Sequence, residues 1–169
     1  MSNNPTVEEF ILFMRENYQK LKTSADKVLN QVDEEQLNWQ PDQDSNSIAI
    51  LMRHLAGNMK SRWTDFLNTD GEKEFRKRDD EFDERIILDK NSLFNYWNEG
   101  WEITLNTINS LKSDDMLKII TIRGEDHTVV NALYRQLTHY ATHVGQIMYI
   151  GKMLKKEDWK SLSIPKKKH

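Results

Sequence analysis

The chain has 169 residues with 24 basic and 27 acidic side chains, five histidines and no cysteine. This length suits one hydrophobic core, and we expect a single domain over residues 1–169. The missing cysteine excludes disulfides, thiolate metal sites and a cysteine nucleophile. The nearly balanced charge argues against a nucleic-acid partner, because nucleic-acid binders usually carry a basic excess.

Apolar stretches in this sequence are short. The early run from Phe10 to Met14 is too short for the core of a signal peptide, and no later stretch reaches the length of a membrane span. We therefore expect a soluble, cytoplasmic protein with no membrane partner.

Apolar residues recur at spacings of three and four in four stretches, and few glycines or prolines interrupt them. The first predicted helix runs from about Thr6 to Val32. The second begins near Ser45 or Ser47 and continues to about Asn68. The third runs from about Lys90 to Leu111, with Asp89 as its N-cap, and the fourth from about Val129 to Lys155.

The connections between these helices differ in length and composition. Thr69 to Asp89 is rich in charge, which predicts a long solvated crossover to which we assign no function. Leu117 to Arg123, followed by Gly124-Glu-Asp, predicts a short β-hairpin before the last helix. Residues from about 156 to 169 form a polar tail, and we expect Lys166 to Lys168 to be disordered. The pattern predicts an all-α fold, a four-helix bundle with one long crossover between helices 2 and 3.

Three histidines lie on the predicted helices. His139 and His143 are four residues apart, so both imidazoles share one face of the last helix, and His54 lies on the apolar face of the second helix. Three neutral imidazoles would give a divalent metal site with open positions, as in catalytic sites. The alternative stays open at this point, because such histidines are often surface residues or hydrogen-bonded core residues. Since ligation needs neutral imidazoles, metal affinity should fall as the pH drops through the histidine range.

Several neighbours of these histidines are candidates for supporting roles. Asn58 and Gln146 lie one turn after a histidine and can hydrogen-bond a ligand or a bound water, although for Asn58 we favour an ordinary polar residue at a helix boundary. Gly57 and Gly145 cost helix propensity and predict close helix packing. We expect His127, in the predicted turn, to be exposed, and His169 to belong to the tail.

Tryptophans recur at helical spacing at Trp63, Trp97 and Trp101. They can line a substrate pocket, but a stripe of this kind is more often part of the core.

Several short motifs, in their order along the chain, resemble those of a known protein family. Leu37-Asn-Trp-Gln-Pro, Ser47-Ile-Ala and Met52-Arg-His54-Leu-Ala-Gly resemble the first half of the DinB-like (damage-inducible, YfiT-type) metalloenzyme superfamily. His139-Tyr-Ala-Thr-His143-Val-Gly-Gln146-Ile resembles the last-helix motif of that family. The resemblance covers nearly the whole chain. It implies a four-helix bundle with a divalent metal on His54, His139 and His143.

This resemblance also implies a function. The family includes S-transferases and isomerases that use a low-molecular-weight thiol such as bacillithiol or mycothiol, so an external thiol would bind the open metal position. The alternative is a non-enzymatic metal-binding or stress-response bundle that acts as a homodimer. Zinc or nickel is the preferred metal and iron also fits. The expected partners are a small-molecule substrate and a second copy of the chain, and no catalytic acid or base is indicated.

Overall fold

The computed structural model describes residues 4–164. The predictions for Lys166 to Lys168 and for His169 fall outside this range. Within it the chain is mainly helical, with six α-helices and one two-stranded sheet, in the order α1 Pro5–Leu29, α2 Glu34–Asn38, α3 Ile48–Trp63, α4 Arg78–Phe82, α5 Lys90–Ser110, β1 Ile119–Ile122, β2 Glu125–Thr128 and α6 Val129–Lys155. Two 3₁₀ turns, Ser113–Asp115 and Lys156–Asp158, complete the elements, and the second lies in the predicted tail.

Side-chain caps explain where the long helices begin. The Ser47 hydroxyl accepts the backbone N–H of Ile50 at the start of α3, and Asp89 and Thr128 cap α5 and α6 in the same way. Each cap satisfies a backbone donor that the first turn leaves free. The predicted starts of these three helices are therefore correct.

The predicted ends of the first two helices are wrong by several residues. Helix α1 ends at Leu29, because Asp33 caps the separate short helix α2. Helix α3 ends at Trp63 rather than near Asn68, because Thr64 is extended and Asp65 has a positive φ of 47°. Both endings are set by caps and backbone turns that hydrophobic periodicity does not report.

The four long helices pack around one core. Helix α3 lies along α5 and contacts α6, and α1 packs against α6 and α5. Trp63, Trp97 and Trp101 are each 1 % exposed or less, so they belong to the core rather than to a pocket wall. At Gly100 of α5 an added Cβ would lie 3.1 Å from the Cα of Ala56, which shows how closely α3 and α5 approach. No helix of the described residues combines the length and apolarity needed to cross a bilayer.

The crossover between α3 and α5 is not simply a solvated segment. It contains α4, and polar side chains of α3 hold its backbone. The Arg53 guanidinium donates to the carbonyl oxygens of Asp83, at 2.8 Å, and Ile86. The Ser61 hydroxyl donates to the carbonyl of Gly71 at 3.0 Å. The prediction of a purely solvated crossover is therefore wrong, because buried donors of α3 satisfy its carbonyl groups.

The short hairpin before α6 confirms the prediction of two strands. The strands are antiparallel, and the last pair is Ile122 with Glu125, so the turn is Arg123-Gly124, one residue earlier than predicted. Both turn residues have a positive φ, 56° and 75°, as a two-residue type I′ turn requires. The Asp70 carboxylate accepts the backbone N–H groups of Arg123 at 2.9 Å and Gly124 at 2.8 Å. This links the crossover to the hairpin.

Candidate metal centre

His54 of α3 and the pair His139 and His143 of α6 come together in the fold. Ligand nitrogens of the three rings all lie within 4.8 Å of one another. The ring centroids form a nearly equilateral triangle, with separations of 5.2, 5.0 and 4.8 Å, and the ring planes are nearly perpendicular in each pair, at 78–80°. Each ring therefore meets the other two edge to face.

The spacing of the nitrogens fits a shared metal ion. The Nε2 atoms of His54 and His139 are 3.1 Å apart. With metal–nitrogen bonds of about 2.0–2.1 Å, two neighbouring ligand nitrogens are separated by about 2.8–3.0 Å in octahedral and about 3.3–3.4 Å in tetrahedral geometry. The separation of His54 and His139 falls between these values, and with all three ligand atoms within 4.8 Å the group can hold a divalent ion.

The orientation of His54 is fixed by a residue that the sequence analysis missed. The Glu81 carboxylate of α4 lies 3.0 Å from Nδ1 of His54 and also accepts two hydrogen bonds from Arg76, each 2.8 Å. Because Nδ1 donates to the carboxylate, Nε2 keeps its lone pair for the cluster. Carboxylate partners of this kind are the usual support of metal-ligating histidines.

Glu81 stays ionised in this setting. Burial alone would raise the pKa of its carboxyl group, but hydrogen bonds from His54 and Arg76 outweigh burial and lower the pKa below its usual value. A permanent negative charge therefore lies behind the His54 ring, where it increases the basicity of the imidazole.

Gly57 makes room for this carboxylate. A Cβ atom at residue 57 would lie 2.2 Å from Oε1 of Glu81, so the glycine marks the approach of a side chain rather than close helix packing. At Gly145, among the described residues, no heavy atom lies within 4 Å of an added Cβ. The prediction of close helix packing is therefore wrong at both glycines. Gly57 indicates in the sequence only that something approaches α3 there, and the folded structure shows that it is Glu81.

His143 has its own support within α6. Its Nδ1 donates to Oε1 of Gln146 at 2.7 Å, which leaves Nε2 free, as in His54. Gln146 thus contacts a candidate ligand, one of the two roles proposed for it from the sequence.

Asn58 does not lie at a helix boundary, as the sequence analysis favoured. It is 5 % exposed in the middle of α3, and its Oδ1 accepts the hydroxyl of Tyr140 at 3.0 Å. The same hydroxyl accepts the indole N–H of Trp63 at 3.0 Å. Residue 58 lies inside the helix as predicted, to about Asn68, and as observed, to Trp63, so the helix bounds gave no support to a boundary role. The chain of hydrogen bonds through Tyr140 fixes α6 against α3 next to His139.

Two of the three imidazoles are held in the neutral, ligating form. Burial, aided by His143 and His54, lowers the pKa of His139 to about 3. Burial also lowers the pKa of His143, although the hydrogen bond to Gln146 opposes this shift. Protons therefore compete with a metal for His139 only well below the pH range that the sequence analysis expected, and for His143 at lower pH than for a free imidazole.

The three histidines open onto a cleft of about 380 Å³. Besides them, the cleft is lined by residues of α3, of the crossover, of the hairpin turn and of α6, and five of these are arginines, namely Arg62, Arg76, Arg78, Arg123 and Arg135.

His127 is half-buried rather than exposed, and its Nε2 lies 3.3 Å from the guanidinium of Arg135.

The fold and the site together define a mainly helical protein with a three-histidine group that can hold a metal ion. Over residues 6–168 the chain matches the model of a family described as a protein of unknown function (DUF1572), and it belongs to that family. No curated protein matches the chain.

Proposed function

We propose that the protein is a divalent-metal-dependent enzyme of the DinB-like superfamily, a four-helix bundle in which His54, His139 and His143 bind the metal. The observation that carries this proposal is the convergence of three ring nitrogens within 4.8 Å at an open cleft. A closed site would favour a structural metal, whereas a metal beside a cleft keeps positions for a substrate. The open cleft thus favours an enzyme over the non-enzymatic bundle, and the homodimer stays a prediction.

The residues around the cluster have separable roles in this proposal. Glu81 orients His54 and Gln146 orients His143, so both rings present Nε2 to the metal position. Arg76 holds Glu81 in place and keeps it ionised. A divalent ion bound there, with zinc or nickel preferred over iron, would supply Lewis acidity and a lowered pKa for a bound thiol or water.

We infer that the reaction is the transfer of a low-molecular-weight thiol to a small-molecule electrophile: the thiol sulfur forms a bond to carbon, the leaving group departs with the electron pair of its bond to that carbon, and the thiol proton goes to solvent. The chain has no cysteine, so any sulfur nucleophile must come from a separate molecule. The cleft volume of about 380 Å³ suits a small ligand. Support for the thiol comes from the motif resemblance, and support for the metal comes from the geometry of the three rings.

The metal assignment is tested by elemental analysis of untagged protein and by zinc titration of the metal-free protein. We expect one equivalent of metal in the wild type and a loss of most of it in His143→Ala. His127→Ala is the matched control, because His127 lies outside the cluster, and it should keep full metal content. Full metal content in His143→Ala would show that the ligand assignment is wrong.

The enzymatic part needs a separate assay. Metal-loaded protein, metal-free protein and His143→Ala are compared for thiol transfer to a chromogenic aryl halide, with several low-molecular-weight thiols. Metal-dependent turnover that His143→Ala lacks would support the proposal. A protein that binds one metal tightly but turns over none of these pairs would contradict the proposed thiol transfer and favour the non-enzymatic bundle.

A further inference from the structure

We propose that the cleft binds a small molecule carrying an oxyanion, a carboxylate or a phosphate, which Arg62, Arg123 and Arg135 hold beside the three histidines. The inference names the substrate class of the proposed metal site and in that sense rests on the proposed function. Binding of the anion itself depends on the arginines and can be measured without metal.

The cleft has an excess of positive charge. Five arginines line the cleft, and among residues 4–164 no carboxylate side chain does, although the chain as a whole has a net charge of −3. Three carboxylates lie behind the wall: Glu72 and Glu81 pair with these arginines, and Asp70 accepts the backbone N–H of Arg123 and interacts with the charge of Arg62. Five arginines against three carboxylates leave a surplus of two positive charges. A concave site lined by one sign of charge concentrates ligands of the opposite sign.

The cleft arginines differ in how completely carboxylates of the protein neutralise them. Arg76 is satisfied by Glu81 and Glu72, so its role is structural. Glu72 is shared, because its carboxylate also contacts Arg62 at 3.9 Å and Arg123 at 3.1 Å. Arg135 contacts the ring of His127 at 3.3 Å rather than a carboxylate. The remaining guanidinium groups are thus only partly neutralised by the protein.

Arg62 is a buried cation beside the cleft. Arg62 is 2 % exposed, and within the described part of the chain its Nε and Nη1 atoms have no hydrogen-bond partner. Burial lowers its pKa to about 10, so it is still charged at neutral pH. A buried charge is costly without a counter-ion. The Nε and Nη1 atoms are sealed from solvent and Nη1 lies against Gly71, so Arg62 contributes to the cleft through its charge rather than through these donors. Glu72, at 3.9 Å, is its only carboxylate contact in the described chain, and an oxyanion bound in the cleft would add negative charge beside it.

The backbone of the hairpin turn places Arg123 at the cleft. Positive φ is uncommon for a residue with a side chain, and Arg123 adopts it in the hairpin turn with φ 56°. The Asp70 carboxylate stabilises this conformation by accepting the N–H groups of Arg123 and Gly124. The type I′ turn accounts for the positive φ, and its anchoring by Asp70 holds Arg123 at the cleft wall.

The size of the cleft limits the ligand. A volume of about 380 Å³ is near the lower end of small-molecule sites. A polyanionic macromolecule is also disfavoured by the net negative charge of the chain. A carboxylate and a phosphate share one property: each has two or more negatively charged oxygens that can accept a pair of hydrogen bonds from one guanidinium group.

The test measures binding of inorganic phosphate and of succinate to metal-free protein by calorimetry at constant ionic strength. We expect at least one of them to bind, and Arg123→Gln and Arg135→Gln each to weaken that binding about tenfold, as expected for a lost charge-assisted hydrogen bond. The matched control is Arg85→Gln, whose side chain is 87 % exposed and outside the cleft, and it should bind like the wild type.

Two outcomes would overturn the inference: neither anion binds at millimolar concentration, or Arg123→Gln and Arg135→Gln both bind as tightly as Arg85→Gln. Phosphate binding without succinate binding identifies a phosphate ligand, and the reverse identifies a carboxylate, so either result supports the proposal. Repeating the titration with His143→Ala separates it from the proposed metal function, because anion binding should persist where metal binding is lost.

Discussion

Replacing Gly57 with alanine tests the support of the three-histidine group without changing any of its histidines. The new methyl group would lie 2.2 Å from Oε1 and 2.9 Å from Cδ of Glu81, far inside van der Waals contact. The carboxylate is the end of a flexible side chain, but His54 and Arg76 hold it with hydrogen bonds of 2.8–3.0 Å. It can therefore move away from the methyl group only by weakening those bonds.

Opposing contributions set the size of the effect. Alanine in place of glycine within a helix gains about 0.5–1 kcal/mol. Loss of one hydrogen bond to a charged group costs about 1.5–3 kcal/mol. We expect Gly57→Ala to lower the free energy of unfolding of the metal-free protein by about 1–2 kcal/mol. Zinc affinity should fall by about 10–100-fold, the usual effect of losing the partner of a ligating histidine.

The measurements are urea unfolding of metal-free protein and zinc titration against a competing chromogenic chelator. Gly145→Ala is the matched control on α6, because an added Cβ there contacts nothing within 4 Å in the described chain. It should gain about 0.5–1 kcal/mol from helix propensity and keep its zinc affinity. If Gly57→Ala behaved like Gly145→Ala in both measurements, the role of Glu81 would be refuted.

Two further predictions follow from buried polar groups. Because the pKa of His139 is lowered to about 3 in the folded protein, the unfolded chain binds more protons between about pH 3 and 6.5, so the metal-free protein should lose stability as the pH falls through this range. Urea unfolding from pH 7 to 4 measures the loss, and His139→Asn should flatten it; an equally steep loss in that variant would contradict the assignment. Tyr140→Phe leaves the buried indole N–H of Trp63 and Oδ1 of Asn58 unpaired and should cost about 3 kcal/mol in urea unfolding. Tyr134→Phe, at a residue 64 % exposed, is the control and should change stability little; equal losses in the two variants would refute the hydrogen-bond argument.

Local patterns in the sequence predicted the long helices and the pairing of two of the three histidines on one helix face. Helix α6 has the predicted bounds, Val129–Lys155, because a Thr128 cap and a regular apolar stripe mark it clearly. The spacing of His139 and His143 places both rings on one face from helix geometry alone. The meeting of these rings with His54 depends on the packing of α6 against α3, which the motif resemblance implied and the histidine spacing did not.

The support of the cluster could not be predicted, because it comes from segments without a local pattern. Helix α4 has five residues, too few for periodicity to appear. Glu81 and Arg76 read as ordinary members of a charged run, and only the folding of the crossover onto α3 makes them a buried pair. The cleft arginines come from four separate parts of the chain and share no spacing. Tertiary packing, not sequence periodicity, creates both features.

The separation of the ligands along the chain has a consequence for stability. His54 and His139 are 85 residues apart, yet their ring nitrogens nearly touch. An ion bound to both would act as a cross-link that closes a long loop. In the chain-entropy description, closing a loop of this length restricts the unfolded state by about 4.5 kcal/mol. In a protein without cysteine, an ion bound there would therefore take the place that a disulfide has in other proteins.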